Sequence, residues 1–314
     1  MQLHPQVGYV LEALAAAGYT ELSALELTQL RDVVRTPYVP VGPAVRSREL
    51  NIPGPAQPLT LRVYEPPQSP GLNSGLVFFG AGGFALGQLA GHDALCRQLA
   101  TSAGCVVVCV ETRLAPEHKF PAAIDDAYLA TCWIHENADE LGIDHRRLAI
   151  GGESTGATIA TAVCRLAKER RNPALAFQLL LYPVTDLRAS ALQPLAASAA
   201  PPGVLTPALL SRVLELYLAR DSDRDDPRCS PLAARNLIGL PPALIISAEH
   251  DPLREQIEAY AQALRAAHVP VTLSRYPGVI HGFVHMFALL DRGREALVEC
   301  SAALRTAFGE GLDS

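Results

Sequence analysis

The chain predicts an α/β fold built on a mostly parallel, eight-stranded sheet with helices on both faces. Two observations carry that prediction. Short apolar runs without strict alternation recur along the chain, separated by helical patterns, which is how strands read when crossover helices bury both of their sides. One such run, Leu148-Ala149-Ile150, leads into Gly152-Glu153-Ser154-Thr155-Gly156, a G-x-S-x-G segment that turns a strand sharply into a helix with serine at the tip.

The first 40 or so residues read as helices: Val7, Val10, Leu11 and Leu14 recur at helical spacing, and Leu22, Leu25, Leu30 and Val33 continue after Gly18 until Pro37, Pro40 and Pro43 stop them. Strands follow at 45–52 and 59–64, parted by Pro53-Gly54-Pro55, then a polar turn at 66–74. The apolar runs at 76–79, 105–110, 148–150, 179–182, 243–247 and 271–274 complete the sheet, with helical patterns at 92–103, 122–137, 155–169 and 251–267. The Ala- and Pro-rich interval after 188 interrupts this rhythm and holds one helix near 207–219. The division expected is N-terminal cap helices at 1–44, a catalytic domain at 45–188 and 230–314, and a cap insertion at 189–229.

Composition bounds the partners. Of 314 residues, 49% are hydrophobic and 18% charged, enough apolar material for a large core and against disorder. The net charge is −6 and no Lys/Arg run exists, so nucleic acid is not an expected partner. No basic segment precedes the first apolar residues, Glu12 interrupts them, and a signal peptide is not expected. The longest apolar interval, 189–205, is broken by Gln193, Pro194, Pro201, Pro202 and Gly203, so no membrane span is expected and the location expected is cytoplasmic. Seven scattered cysteines without a C-x2-C pair read as buried apolar side chains in a reducing compartment. His281 and His285 have H-x3-H spacing but no cysteine pair upstream at finger distance, so no metal site is read there. A monomer or homodimer is expected.

A serine hydroxyl is too weakly acidic to attack an ester unaided; it needs a base, and the base an orienting acid. Far behind Ser154 come Asp251, just after an apolar run, and His281, in the loop after the last run. Ser then Asp then His is one of the chain orders such arrays take. Other readings stand beside this one. Ser154 also suits a capping serine in an ordinary turn, and Asp251 an N-cap with Pro252 in the first helical position. His285 competes with His281 as base but falls on a helix expected after the loop, and Glu249 and Glu255 are less well placed than Asp251. Gly82 and Gly83, after the 76–79 run, and Thr155 could offer N–H groups to an oxyanion, though two glycines also make a plain turn. Phe84, Gly282 and Phe283, next to these groups, are expected in the substrate pocket.

These residues make the chain resemble the hormone-sensitive lipase family of α/β-hydrolases, the bacterial family IV carboxylesterases. The resemblance runs from about residue 45. It rests on Gly82 to Gly87, the stretch Arg113-Leu114-Ala115-Pro116-Glu117-His118-Lys119-Phe120-Pro121-Ala122-Ala123, Gly152 to Gly156, Leu181 to Asp186, Ser230-Pro231-Leu232, Asp251 to Arg254 and His281-Gly282-Phe283. It implies a nucleophile at Ser154, an acid at Asp251, a base at His281, oxyanion donors at Gly82, Gly83 and Thr155, and a cap made from the N-terminus and the segment after Asp186. Arg113, Glu117 and Asp126 read as scaffold. The family loop His-Gly-Gly-Gly is here Gly80-Ala81-Gly82-Gly83, without the imidazole that normally braces it, so a loop more mobile than in relatives is expected unless another side chain fills the space, for which Phe78, Phe79 and Thr112 are the candidates. The elbow has Glu153 where the family usually has Asp, and Thr155 where it has Ala.

The expected function is a serine carboxylesterase acting on a small ester with a short- to medium-chain acyl group, needing no cofactor or metal and therefore indifferent to EDTA. The same machinery could instead hydrolyse an amide or deacetylate a small metabolite. A catalytically silent ligand receptor is a third reading, which a complete Ser154, Asp251 and His281 set argues against. Val10, Leu11 and Leu14 are expected to pack over the mouth of the site.

Overall fold

The computed structural model describes residues 3–16, 22–35, 43–67, 71–87, 89–196 and 205–309. The strands are β1 Arg46–Ile52, β2 Leu59–Glu65, β3 Asn73–Phe79, β4 Val106–Val110, β5 Ile143–Glu153, β6 Phe177–Leu181, β7 Ala243–His250 and β8 Val271–Ile280. They form one sheet in the order β1-β2-β4-β3-β5-β6-β7-β8. β2 pairs antiparallel with β1 and β4, and every other pairing is parallel. The helices are α1 Pro5–Ala16, α2 Leu27–Arg35, α3 Asp93–Ala103, α4 Ala122–Glu136, α5 Thr155–Arg170, α6 Ala189–Ala196, α7 Pro207–Tyr217, α8 Arg254–Ala266 and α9 Asp291–Ala307.

Burial follows the reason each strand was legible. β4 and β6 are buried at every residue, whereas the edge strand β1 is mostly exposed and carries Arg46, Arg48 and Glu49, charges that discourage edge-to-edge pairing. β5 is longer than its apolar run. Its first residues, Ile143 to Arg147, include Asp144, His145, Arg146 and Arg147, and only from Leu148 on is it wholly buried, so no apolar run marks its start. α6 was not expected because Pro194 lies inside it. The expected helix at 251 begins only at Arg254, and residues 281–289 form a series of turns before α9, so His285 is not helical.

The chain leaves β3 for β4 on one side and later returns to place β5 on the other. In open parallel sheets such a reversal opens a crevice at the carboxyl ends of the strands. The 80–83 loop leaves β3 there and Ser154 leaves β5, with Phe79 opposite Gly152 in the register. Asp251 and His281 directly follow β7 and β8 at the same edge.

Two arginines fasten the segments over this edge. Arg31 of α2 donates through Nε to Ala85 O at 2.9 Å and through Nη2 to Ala115 O at 2.9 Å, and its fork meets Glu117 at 2.7 and 2.8 Å. Arg212 of α7 donates to Ser23 O at 2.6 Å and also to Leu25 O. Below them the buried Asp126 accepts from the Arg113 guanidinium at 2.7 and 2.9 Å and from its backbone N–H at 2.9 Å, a fork-to-carboxylate pairing of the strong kind.

Candidate active site

Ser154 stands at the tip of the β5–α5 turn with φ 54° and ψ −117°, a conformation that costs a non-glycine residue about 1–3 kcal/mol and persists only where the surroundings enforce it. They enforce it by close approach. A Cβ on Gly152 would lie 2.4 Å from the carbonyl of Gly156, and one on Gly156 2.1 Å from Phe79 O. The Ser154 N–H donates to Leu181 O at 2.9 Å. The Ser154 hydroxyl sits where the first turn of α5 presents its unpaired N–H groups.

The structure brings Ser154, His281 and Asp251 into one line. His281 Nε2 is 2.9 Å from Ser154 Oγ, and its Nδ1 is 2.7 Å from Asp251 Oδ2. The other carboxylate oxygen, Oδ1, accepts the Leu253 N–H at 2.8 Å, so Asp251 is held from two sides just before α8 and is not its N-cap. A carboxylate facing Nδ1 keeps the proton there and turns the Nε2 lone pair toward Ser154. Glu249 is engaged elsewhere, accepting the Gly278 N–H at 2.7 Å.

Gly82 and Gly83 have φ of 139° and 58°, and a Cβ on Gly82 would meet Gly87 N at 2.3 Å, which excludes any side chain. Among the described residues no acceptor takes the N–H of Gly82, Gly83 or Thr155. All three line, with Ser154 and His281, a cavity of about 150 Å3 whose walls are mainly apolar, including Leu22 and Leu30, Leu209 and Val213 of α7, and Met286. Gly282 lines it as well. Phe84 and Phe283 do not: Phe84 is buried and stacks on Tyr217 with ring centroids 3.8 Å apart, and Phe283 is buried beside Tyr182 and Tyr276. Their bulk went into the core under the site.

A family model described as the alpha/beta hydrolase fold matches residues 76–285. The chain is 39% identical over 284 residues to a protein named Esterase LipI from Mycobacterium tuberculosis, covering 89% of this chain and 87% of that one. It is 40% identical over 250 residues to an ethyl acetate hydrolase of Pseudomonas putida, covering 79% and 78%. Among solved structures, an α/β hydrolase enzyme from the metagenome of Lake Arreo, Spain, superposes with a TM-score of 0.90 at 34% identity, covering 98% of this chain and 99% of that one. The chain belongs to the hormone-sensitive lipase-like carboxylic ester hydrolases of the α/β-hydrolase fold.

In this hydrolase the space left by the missing loop imidazole is filled by a residue the sequence did not single out. A Cβ on Gly80 would lie 2.6 Å from His92 Nδ1. His92, immediately before α3, brings its Nε2 to 2.9 Å from the Ala81 N–H and to 2.9 Å from Glu153 Oε2. Phe78, Phe79 and Thr112, expected in that role, have no such contact with the loop. One ring nitrogen serves one of these partners at a time: with a lone pair it accepts from Ala81, with a proton it donates to Glu153. Glu153 is the centre of a buried network. Its Oε1 accepts the Tyr182 hydroxyl at 2.7 Å, and its Oε2 also lies 3.3 Å from His285 Nδ1. Burial pushes the Glu153 carboxyl up, but the charge and hydrogen bonds of His285 and His92 outweigh it and hold the group well below the usual carboxylate range. Burial, then the Glu153 charge, pushes the Tyr182 hydroxyl well up. Nothing around His92 in the sequence marks it for this role; the small residue at Gly80 shows only that space is left beside the loop.

The cavity corrects a further expectation. Among the described residues none of α1 lines it. α1 packs instead beside β8, with His4 N donating to Gly278 O at 2.8 Å and Gln6 Nε2 to Asp291 at 2.9 Å. Val7 and Val10 are buried there, while α2 and α7 face the cavity. Among the described residues no helix is long and apolar enough to cross a membrane.

Proposed function

We propose that the protein is a serine carboxylesterase that works through an acyl-enzyme on esters with short- to medium-length acyl groups. The unbroken line from Asp251 through His281 to Ser154 Oγ, at 2.7 and 2.9 Å, is the observation that carries the reading. Ser154 Oγ attacks the ester carbonyl while His281 Nε2 takes its proton, and Asp251 stabilises the imidazolium. The carbonyl oxygen gains its charge against the N–H groups of Gly82, Gly83 and Thr155. His281 returns the proton to the departing alcohol, and water attacks the acyl-enzyme by the same route in reverse order.

The size of the cavity supports this acyl range. A space of about 150 Å3 is of the order that encloses one benzene ring, which supports acetyl to hexanoyl chains over a dodecanoyl chain. We further read the N-terminal 44 residues and 189–229 as a two-part cover in which α2, and not α1, lies over the cavity, supported by Leu22, Leu30 and Val33 on one side and Leu205, Leu209 and Leu210 on the other.

Ser154→Ala tests the mechanism. Turnover of p-nitrophenyl acetate falls by about 10⁴-fold or more, fluorophosphonate labelling disappears and the thermal melt is unchanged. A folded Ser154→Ala protein with substantial turnover overturns it. Across a p-nitrophenyl series kcat/KM peaks at or below hexanoyl; a maximum at dodecanoyl overturns the assigned acyl size.

A further inference from the structure

Beside Ser154 lies a second set of ligating atoms, outside the Asp251–His281–Ser154 line. His92 Nε2, Glu153 Oε2 and His285 Nδ1 all fall within 4.8 Å of one another. Two of the three separations are 2.9 and 3.3 Å. Ligand atoms about 2.1 Å from a tetrahedral zinc ion stand about 3.4 Å apart, so small side-chain shifts bring these three around one ion. Two imidazoles and a carboxylate form a donor set that open three-ligand zinc sites use, and imidazole favours zinc, cobalt, nickel or copper over magnesium or calcium. The Tyr182 hydroxyl, 2.7 Å from the other Glu153 oxygen, orients the carboxylate as outer-shell donors do. His92, Glu153 and His285 line the same cavity as Ser154, so an ion enters by the substrate's route and its fourth position opens to the cavity.

We propose that His92, Glu153 and His285 form a binding site for Zn2+ and similar borderline transition-metal ions, and that filling it inhibits the enzyme. The inhibition follows from one lone pair. His92 Nε2 accepts the Ala81 N–H at 2.9 Å, and a nitrogen bound to a metal has nothing left for that bond. A bound ion thus releases Ala81, the residue before Gly82 and Gly83, and loosens the proposed oxyanion loop. The ion is an inhibitor and not a cofactor, so chelators leave turnover unchanged or raise it. The inhibitory half rests on the esterase reading; the binding half does not.

Binding is therefore measured on the full-length Ser154→Ala protein, with Zn2+ by calorimetry and with Co2+ by its visible d–d bands. Inhibition is measured on the wild type with p-nitrophenyl acetate in a non-chelating buffer. One ion per chain binds, Co2+ gives bands of tetrahedral or five-coordinate intensity, and Zn2+ inhibits over the same concentration range in a way that EDTA reverses. His285→Gln weakens both binding and inhibition at least tenfold; Glu153→Gln is the second variant if the first does not fold. Absence of stoichiometric binding overturns the site. So does a folded variant bound and inhibited at wild-type concentrations, which would place the ion on His281 or a surface group. Stoichiometric binding with undiminished turnover overturns the inhibitory coupling.

Discussion

At the scale of single residues, His92 shows how a missing side chain is replaced from elsewhere in the chain. Position 80 has no room for a ring while His92 is present, since a Cβ there would stand 2.6 Å from His92 Nδ1. Restoring the usual histidine as Gly80→His therefore lowers kcat. His92→Ala frees Ala81 and approaches the loss of about 10²–10³ in kcat that follows removal of one oxyanion donor, with KM little changed because only transition-state binding suffers. Combining Gly80→His with His92→Gly moves the ring from one backbone position to the other and recovers at least tenfold over either single change. Steady-state kinetics on the three variants check this, and a His92→Ala enzyme with wild-type kcat shows that other contacts hold the loop. The placement of Ser154, Asp251 and His281 was legible because each sits directly after an apolar run and their order has few alternatives. His92 was not, because its partner is a backbone N–H with no sequence signature. His285 was hidden by a helical pattern that dissolves into turns.

Among elements, α2 depends on one side chain. Arg31 spends its donors on Ala85 O, Ala115 O and Glu117, tying α2 to the segment just beyond the proposed oxyanion glycines. The Arg31 hydrogen bond holds the Glu117 carboxyl down to about 2 from an ordinary 4.5. A carboxylate depressed in the folded state contributes stability above its unfolded value and loses it as pH falls to its folded value. The wild type is thus slightly more stable than Glu117→Gln at neutral pH, by a small margin because the Glu117 side chain is exposed, and the gap closes between about pH 4.5 and about pH 2. Thermal melts of both proteins across that range check it; a gap that persists at pH 2 shows that Glu117 does not act through its charge. Strands and helices of the sheet were legible where burial is complete, as in β4 and β6. They were misread where tertiary packing decides: the polar start of β5, Pro194 inside α6, and α1, whose apolar face went to β8 and not to the cavity.

For the whole molecule, a mostly parallel sheet with helices on both faces could be anticipated from the rhythm of apolar runs, whereas the order of its strands and the way the flanking segments close over its edge could not, since Ala- and Pro-rich chain sets no periodicity. The scaffold reading of Arg113 and Asp126 has a direct test. Asp126→Ala leaves a largely buried guanidinium without its carboxylate, a loss of about 3–5 kcal/mol. Neither residue lines the Ser154 cavity, so denaturant melts shift while kcat of the folded fraction stays constant. A stable variant with lowered kcat overturns the scaffold role. Arg212 has a different kind of consequence. It joins α7 to the carbonyls of Ser23 and Leu25, stretches of chain nearly two hundred positions apart. α2 and α7 thus cannot part over the cavity without giving up those charge-assisted bonds, each of about 1.5–3 kcal/mol. Arg31 in turn holds α2 to Ala85, Ala115 and Glu117, and Lys119 holds the end of α7 through Glu215 O and Leu218 O, so the two helices form one roof pinned to the wall of the cavity. Losing Arg212 therefore unpins one edge of that roof while the other stays fastened.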